Sequence, residues 1–169
     1  MVEKPEIPSH FIEIKNSGNH GCFGCSPVNP HGLRMKFHSG DGALFSWLSV
    51  PGHLCGWDNL AHGGVLATIL DETMGWTAIH FLKKFALTNS MNIEYLKPVR
   101  IGEPIRVEGR VLETAGKREA KVEGLLYREE NVLCVKSVGT FRLFTPGAIS
   151  RLGVIGEDSM KKFDFLIQP

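Results

Sequence analysis

Asp71 lies inside an apolar run, LAHGGVLATILDETMGW (Leu60–Trp76), and two adjacent glycines, Gly63 and Gly64, open the same segment. Both features cost stability in a helix meant for burial. A carboxylate among apolar side chains is expensive unless it is paired or used, and glycine is a poor helix former. Each feature also has a chemical use. A partly buried carboxylate can be kept for acid–base or covalent work. A helix N-terminus leaves backbone N–H groups without intrahelical partners at the positive end of the dipole. Glycines there leave those donors uncovered for an anion or a developing oxyanion. Plainer readings stand beside these: Asp71 as a helix carboxylate reaching solvent or a lysine, and Gly63-Gly64 as a sharp turn that needs glycine dihedrals.

The spacing sets a condition on the chemistry. Gly63 and Asp71 are eight positions apart, about 12 Å along a helix rising about 1.5 Å per residue, so one chain cannot bring both to one small reacting group. Gly64, Ala67, Asp71, Gly75 and Ala78 fall within roughly 80° of one another at about 100° per residue, a stripe of small side chains interrupted only by Asp71. Two antiparallel copies packed along that stripe would set Asp71 of one against Gly63 of the other, as two-fold symmetry requires. The remaining faces carry Val65, Leu66, Ile69, Leu70, Met74, Trp76 and Ile79, so the helix is expected to be covered on most sides.

What covers it follows from the rest of the chain. His10–Asn16 could form a short strand, and Ser17–Gly32 has loop composition. Leu33–His38 and Ala43–Val50 read as a hairpin turning at Gly40-Asp41-Gly42. After the helix the apolar period drops to two: Met91, Ile93, Tyr95; then Ile105, Val107, Val111; then Ala120, Val122, Gly124, Leu126; then a last strand over 131–144. Turns fall at 100–104, 114–118 and 127–131. The order predicts an α+β fold, an antiparallel sheet wrapped around one long central helix. The organisation expected is an N-terminal arm and loop (1–32), the α+β domain (33–145) and a C-terminal tail (146–169).

Composition narrows the function class. The 169 residues carry a net charge of +1, with 43% apolar and 22% charged residues. That is enough for one well-filled core, with no basic excess for nucleic acid or an anionic membrane. No apolar run is long enough to span a bilayer, the first residues lack a secretory pattern, and four cysteines in such a chain suit reduced thiols. A cytoplasmic protein is expected, with neither nucleic-acid nor membrane partners.

The segment HGGVLATILDE (His62–Glu72) resembles the signature of hotdog-fold acyl-CoA thioesterases of the phenylacetate-pathway and related mammalian types. TNSMNIEYLKPVRIGE (Thr88–Glu103) resembles that family's next strand and turn, and CFGCSPVNPHGLRMKF (Cys22–Phe37) the N-terminal segment of one branch. The resemblance implies a hotdog fold, a dimer with a sheet continuous across subunits, and often a dimer of dimers. It implies that the Gly63 N–H polarises a thioester carbonyl, and that Asp71 acts as general base on water or as nucleophile. It places His62 beside the thioester and matches Thr88 to a threonine that holds the attacking water, here after a connection one residue longer. Gly64 and Asn59 are the substrate-binding positions expected. Asn59 is the nearest amide to a position, here Gly56, where many relatives carry Asn or Gln; it either replaces that residue or ends a turn.

A thioester carbonyl is electrophilic and its thiolate leaves readily, so an activated water and an oxyanion donor suffice. No cofactor is expected beyond coenzyme A as part of the substrate, and no metal. His20, Cys22, Cys25 and His31 have tolerable ligand spacing but lack the usual second, distant pair, so the loop is read as packing near the site entrance. Lys83, Lys84, Lys97, Arg100 and Arg118 are candidates for the coenzyme A phosphates or ordinary solvated charges. His80 is read as a core histidine with a partner. The expected function is acyl-CoA thioester hydrolysis; the alternatives are a hydratase or dehydratase on acyl thioesters and a non-catalytic acyl-CoA-binding regulator.

Overall fold

In the computed structural model the described residues are 7–16, 20–153 and 156. The chain order is β1 (Ile12–Glu13), β2 (His38–Gly40), β3 (Ala43–Ser49), α1 (Gly63–Leu82), β4 (Phe85–Tyr95), β5 (Pro104–Ala115), β6 (Glu119–Arg128), β7 (Val132–Phe144) and α2 (Pro146–Arg151). The strands form one antiparallel sheet in the order β1-β2-β3-β5-β6-β7-β4. It curls around α1, which packs against β3, β4, β5, β6 and β7. This is the hotdog arrangement, a helix enclosed by a sheet.

The enclosure follows from the side chains. Val65, Leu66, Ile69, Leu70, Met74, Trp76 and Ala78 of α1 are buried. They face Ile105 and Val107 of β5, Ala120, Val122 and Leu126 of β6, and Val135 and Phe141 of β7. Each fully buried side chain of this size contributes about 1.5–3 kcal/mol. Thr73 and Thr77 are also buried, and their hydroxyls donate back to the carbonyls of Ile69 (2.8 Å) and Thr73 (2.7 Å), which removes the cost of hiding them. A β-carbon on Gly109 of β5 would collide with the Thr77 hydroxyl. Glycine is what lets strand and helix approach there. Ala78 departs from expectation: it is fully buried, so the open small-residue stripe ends at Gly75.

One local feature differs from the sequence reading. The hairpin is shorter on its first side, with β2 only three residues long. Arg34 has a positive φ of 52°, which breaks the extended run. The amides of Leu33 and Met35 donate instead to the Phe23 and Gly24 carbonyls. The turn itself holds: Asp41 and Gly42 both have positive φ (49° and 68°) between the paired Gly40 and Ala43, as a type I′ connection demands. Within the N-terminal segment, β1 pairs with β2 and so extends the same sheet. After β7, the short helix α2 buries Ile149. The rest of the C-terminal tail beyond Gly153, Gly156 apart, lies outside the described residues, as do residues 1–6 and 17–19.

Candidate active site

Asp71 projects from the middle of α1 toward the outer end of β4. The Thr88 hydroxyl donates to its Oδ1 at 2.6 Å. A shift in the β4–β7 register pairs Thr88 with Phe141 and Ser90 with Thr140, making Asn89 an extra residue in β4. Such a bulge re-aims the neighbouring side chain; it lies just after Thr88, not in the longer connection before it. Asp71 and Thr88 lie on a cleft of about 250 Å³ whose other walls are Gly75, Trp76, Ile79, Phe85, Ala86, Glu72 and the loop thiols Cys22 and Cys25. The cleft is mostly apolar. Of the three tryptophans only Trp76 reaches it; Trp57 is 82% exposed, and Trp47 stacks on Phe45.

The start of α1 lies elsewhere. His62 is the N-cap, its Nδ1 accepting from the Gly64 N–H at 2.9 Å. That nitrogen therefore carries no proton, and a proton on the neutral ring sits on Nε2. The His62 carbonyl takes the amides of Val65 and Leu66. The Gly64 amide is thus spent on the cap and is not open to a substrate. Among the described residues the Gly63 N–H meets no acceptor. Gly63 borders a second, shallow groove with Tyr95, Leu96, Lys97 and Pro98, and the Tyr95 hydroxyl donates to its carbonyl at 2.9 Å. Within one chain the structure therefore joins Asp71 to Thr88, and His62 to Gly63 and Gly64, and keeps the two groups in separate hollows. Asn59 lies in an exposed turn in which Leu60 N–H donates to the Trp57 carbonyl and borders neither hollow. His80 has the partner expected of a core histidine, Ser39 Oγ at 3.0 Å.

Glu72 was not singled out from the sequence, where it follows Asp71 as one more helix carboxylate. Its side chain turns the other way, under the loop. The Trp76 Nε1–H donates to Oε1 at 3.1 Å, and Cys22 Sγ lies 3.6 and 3.7 Å from the two oxygens. Burial pushes the Glu72 carboxyl up to about 7. The hydrogen bond between the two thiols pulls Cys22 down and, together with burial, pushes Cys25 up. The signal that could have found Glu72 is positional. One residue on from Asp71, it points about 100° around the helix, toward the cysteine loop.

Fold and site define a class, and similarity to known proteins agrees. The model of the Thioesterase superfamily matches residues 58–135, which span α1, the strands β4 to β6 and the start of β7, and over that stretch the chain is similar to that superfamily. It is 34% identical over 91 residues to the acyl-coenzyme A thioesterase THEM4 of Mus musculus, covering 50% of this chain and 39% of that one. A conserved protein of Pseudomonas aeruginosa is 31% identical with a TM-score of 0.58, over 66% of this chain and 90% of the other. A hypothetical thioesterase of Streptococcus pneumoniae, solved with coenzyme A, shares the fold at 21% identity and a TM-score of 0.57, over 62% and 80% of the two chains. The chain spans less than two thirds of the length of the curated relatives it matches. No helix among the described residues is long and apolar enough to cross a membrane.

Proposed function

We propose that this protein is an acyl-CoA thioesterase that hydrolyses its substrate at a site shared between two antiparallel copies. The observation that carries the reading is the Asp71–Thr88 pair set at a mostly apolar cleft. Thr88 occupies Oδ1, which leaves Oδ2 to take a proton from water. The water oxygen adds to the thioester carbonyl carbon, the C–S bond breaks, and the proton ends on the sulfur. The products are a free acid and a thiol. The Gly63 N–H of the second copy receives the oxyanion, and a His62 Nε2–H at the same helix tip stands beside the leaving sulfur. Lys97 borders the Gly63 groove and supplies a cation for the coenzyme A phosphates.

Two features support the shared site. Gly63 and Asp71 open into different hollows of one chain. In addition, β4 is an eleven-residue edge strand paired only with β7 among the described strands. Its other edge is a row of free backbone donors and acceptors, which a second copy can pair with. A dimer, or a dimer of such dimers, is the proposed assembly.

The test is a panel of acyl-CoA esters of increasing chain length, with free thiol measured over time. Thiol release that tracks enzyme concentration supports the proposal. Water addition to an enoyl-CoA without thiol release would replace it with a hydratase, and tight binding without turnover would replace it with a regulator.

A further inference from the structure

The loop from His20 to Ser26 folds back on α1 so that three metal-seeking groups converge. One ring nitrogen of His20 and the sulfurs of Cys22 and Cys25 all lie within 4.8 Å of one another. The helix adds a fourth donor that the loop sequence does not contain: the Glu72 carboxylate, with its oxygens 3.6 and 3.7 Å from Cys22 Sγ. His31, grouped with the cysteines by spacing, is outside the cluster. A tetrahedral Zn²⁺ with bonds of about 2.3 Å to sulfur and about 2.0–2.1 Å to nitrogen and oxygen holds its ligand atoms roughly 3.3–3.8 Å apart. The three loop atoms reach those separations by closing up by about 1–1.5 Å at most, and the Glu72 oxygens already stand at that distance from Cys22 Sγ.

The surroundings are arranged as a metal's outer shell requires. Asn16 Nδ2 donates to the Cys25 carbonyl at 2.6 Å, which fixes the amide so that its Oδ1 faces His20 Nε2 at 3.0 Å. The imidazole then carries its proton on Nε2, the second-shell hydrogen bond that orients ligating histidines, and its Nδ1 accepts the Cys22 N–H at 3.3 Å, a bond that a cation bound at Nδ1 would replace. The Trp76 indole holds Glu72 Oε1 and leaves Oε2 toward the loop. Gly24, between the cysteines, clears the approach: a β-carbon there would collide with that same Oε2. The Ser26 hydroxyl donates to the His20 carbonyl and accepts from the amides of Val28 and Asn29 (3.3 and 3.2 Å), so the loop is held in its shape.

We propose that His20, Cys22, Cys25 and Glu72 form a closed, four-ligand site for a borderline-soft divalent cation of the Zn²⁺ kind, which staples the N-terminal loop to the central helix at the wall of the cleft. Two thiolates with an imidazole and a carboxylate match that ion rather than Mg²⁺ or Ca²⁺, which take oxygen ligands. Binding releases the two thiol protons, and the Glu72 proton where it is present. A Cys22–Cys25 disulfide is the competing state of the same sulfurs. It would use two of the four groups and leave His20 and Glu72 without a role. The site stands apart from the thioesterase reading, since neither Asp71 nor Gly63 takes part.

The experiment uses the full chain, reduced and stripped with a chelator, titrated with Co²⁺ and then Zn²⁺. One equivalent of Co²⁺ should give a thiolate-to-cobalt charge-transfer band and strong tetrahedral visible bands, both lost when Zn²⁺ displaces it. Zn²⁺ should protect both Cys22 and Cys25 from alkylation. Cys22→Ser with Cys25→Ser should abolish the cobalt spectrum, and His20→Ala and Glu72→Gln should each weaken Zn²⁺ binding at least about tenfold. Absence of the charge-transfer band in the reduced wild-type chain overturns the site. So does Zn²⁺ affinity unchanged in both His20→Ala and Glu72→Gln, which would leave only a chelating dithiol. The wild-type spectrum and the alkylation pattern decide the matter even where a cysteine variant does not fold.

Discussion

The Thr88 hydroxyl and Asp71 Oδ1 meet at 2.6 Å across seventeen positions of sequence, tying the middle of the central helix to the edge strand of the sheet. The bond both orients the carboxylate and marks which of its oxygens is left for a proton. It forms because the register of β4 slips at Asn89, turning Thr88 toward the helix.

Asp71→Asn should lower kcat by about 10²-fold or more, the scale of a positioned acid–base group, with an unchanged circular dichroism spectrum. Thr88→Val keeps the shape of the side chain and removes the donor, and should cost roughly tenfold, as for one hydrogen bond to a charged group of about 1.5 kcal/mol. Steady-state thiol release on both variants checks this. Full activity in Asp71→Asn would exclude the carboxylate from the chemistry.

Gly63→Pro isolates the oxyanion donor. Gly63 is the first residue of α1, and His62 before it has φ −64° and ψ 135°. Proline is accepted at that helix position and after that backbone conformation, so the helix should survive while the N–H disappears. The expected loss is about 10²–10³-fold in kcat, as for removing one oxyanion-hole donor. Gly63→Ala keeps the N–H and adds a β-carbon in ordinary contact with Tyr95, 3.6 Å away; it should retain most of the activity.

A site shared across two copies predicts complementation. Asp71→Asn homodimers and Gly63→Pro homodimers should both be nearly inactive. Refolding the two variants together should restore up to about a quarter of wild-type activity: half the dimers are mixed, and each mixed dimer has one intact site of two. Co-refolded mixtures as inactive as the separate variants would place the whole site within one chain.

His38 predicts a pH dependence of stability. The ring is 7% exposed with Nδ1 unpaired among the described residues. Burial lowers its pKa below the ordinary 6.5, with Lys36 adding to the effect and Glu13 opposing it. The folded chain therefore resists the proton that the unfolded chain accepts. Stability is full above about pH 6.5 and is lost as the pH falls through that value toward the lower folded pKa. His80, lowered by burial and by Lys83, acts in the same direction. Urea unfolding between pH 5 and 8 should show this slope, and His38→Gln should flatten it.

Gly109→Ala should destabilise the fold by about 1–3 kcal/mol, as overpacking does, because the new methyl meets the Thr77 hydroxyl. Thr77→Ala removes that hydroxyl and its bond to the Thr73 carbonyl. The double variant should therefore be more stable than the sum of the single losses, by about 0.5–3 kcal/mol in a double-mutant cycle. Strict additivity would separate the two residues.

Much of the fold was legible because it rests on periodicity. The all-round apolar pattern of Val65–Trp76 requires a cover, and the two-residue period after residue 90 supplies one. Asp41-Gly42 announced its turn through residue types that tolerate positive φ. Other features were hidden because they depend on distant partners. Leu33–Phe37 alternates like a strand, yet its amides are taken by the Phe23 and Gly24 carbonyls. Ala78 looks like part of an open stripe, yet it is fully buried.

By itself the sequence determined the class of the protein: a central helix with a lone carboxylate on its small-residue side, an amide-rich N-terminus twelve or so ångströms away, and strands enough to enclose it. These are properties of spacing along one helix, and spacing is local. Only the tertiary structure decided which groups meet. It gave Asp71 to Thr88, spent the Gly64 amide on the His62 ring, and turned Glu72 under the cysteine loop. Those pairings come from a bulge in one strand, a cap geometry and a loop folded back on the helix. Contacts between residues seventeen or fifty positions apart depend on how the whole sheet closes, which no window of sequence contains.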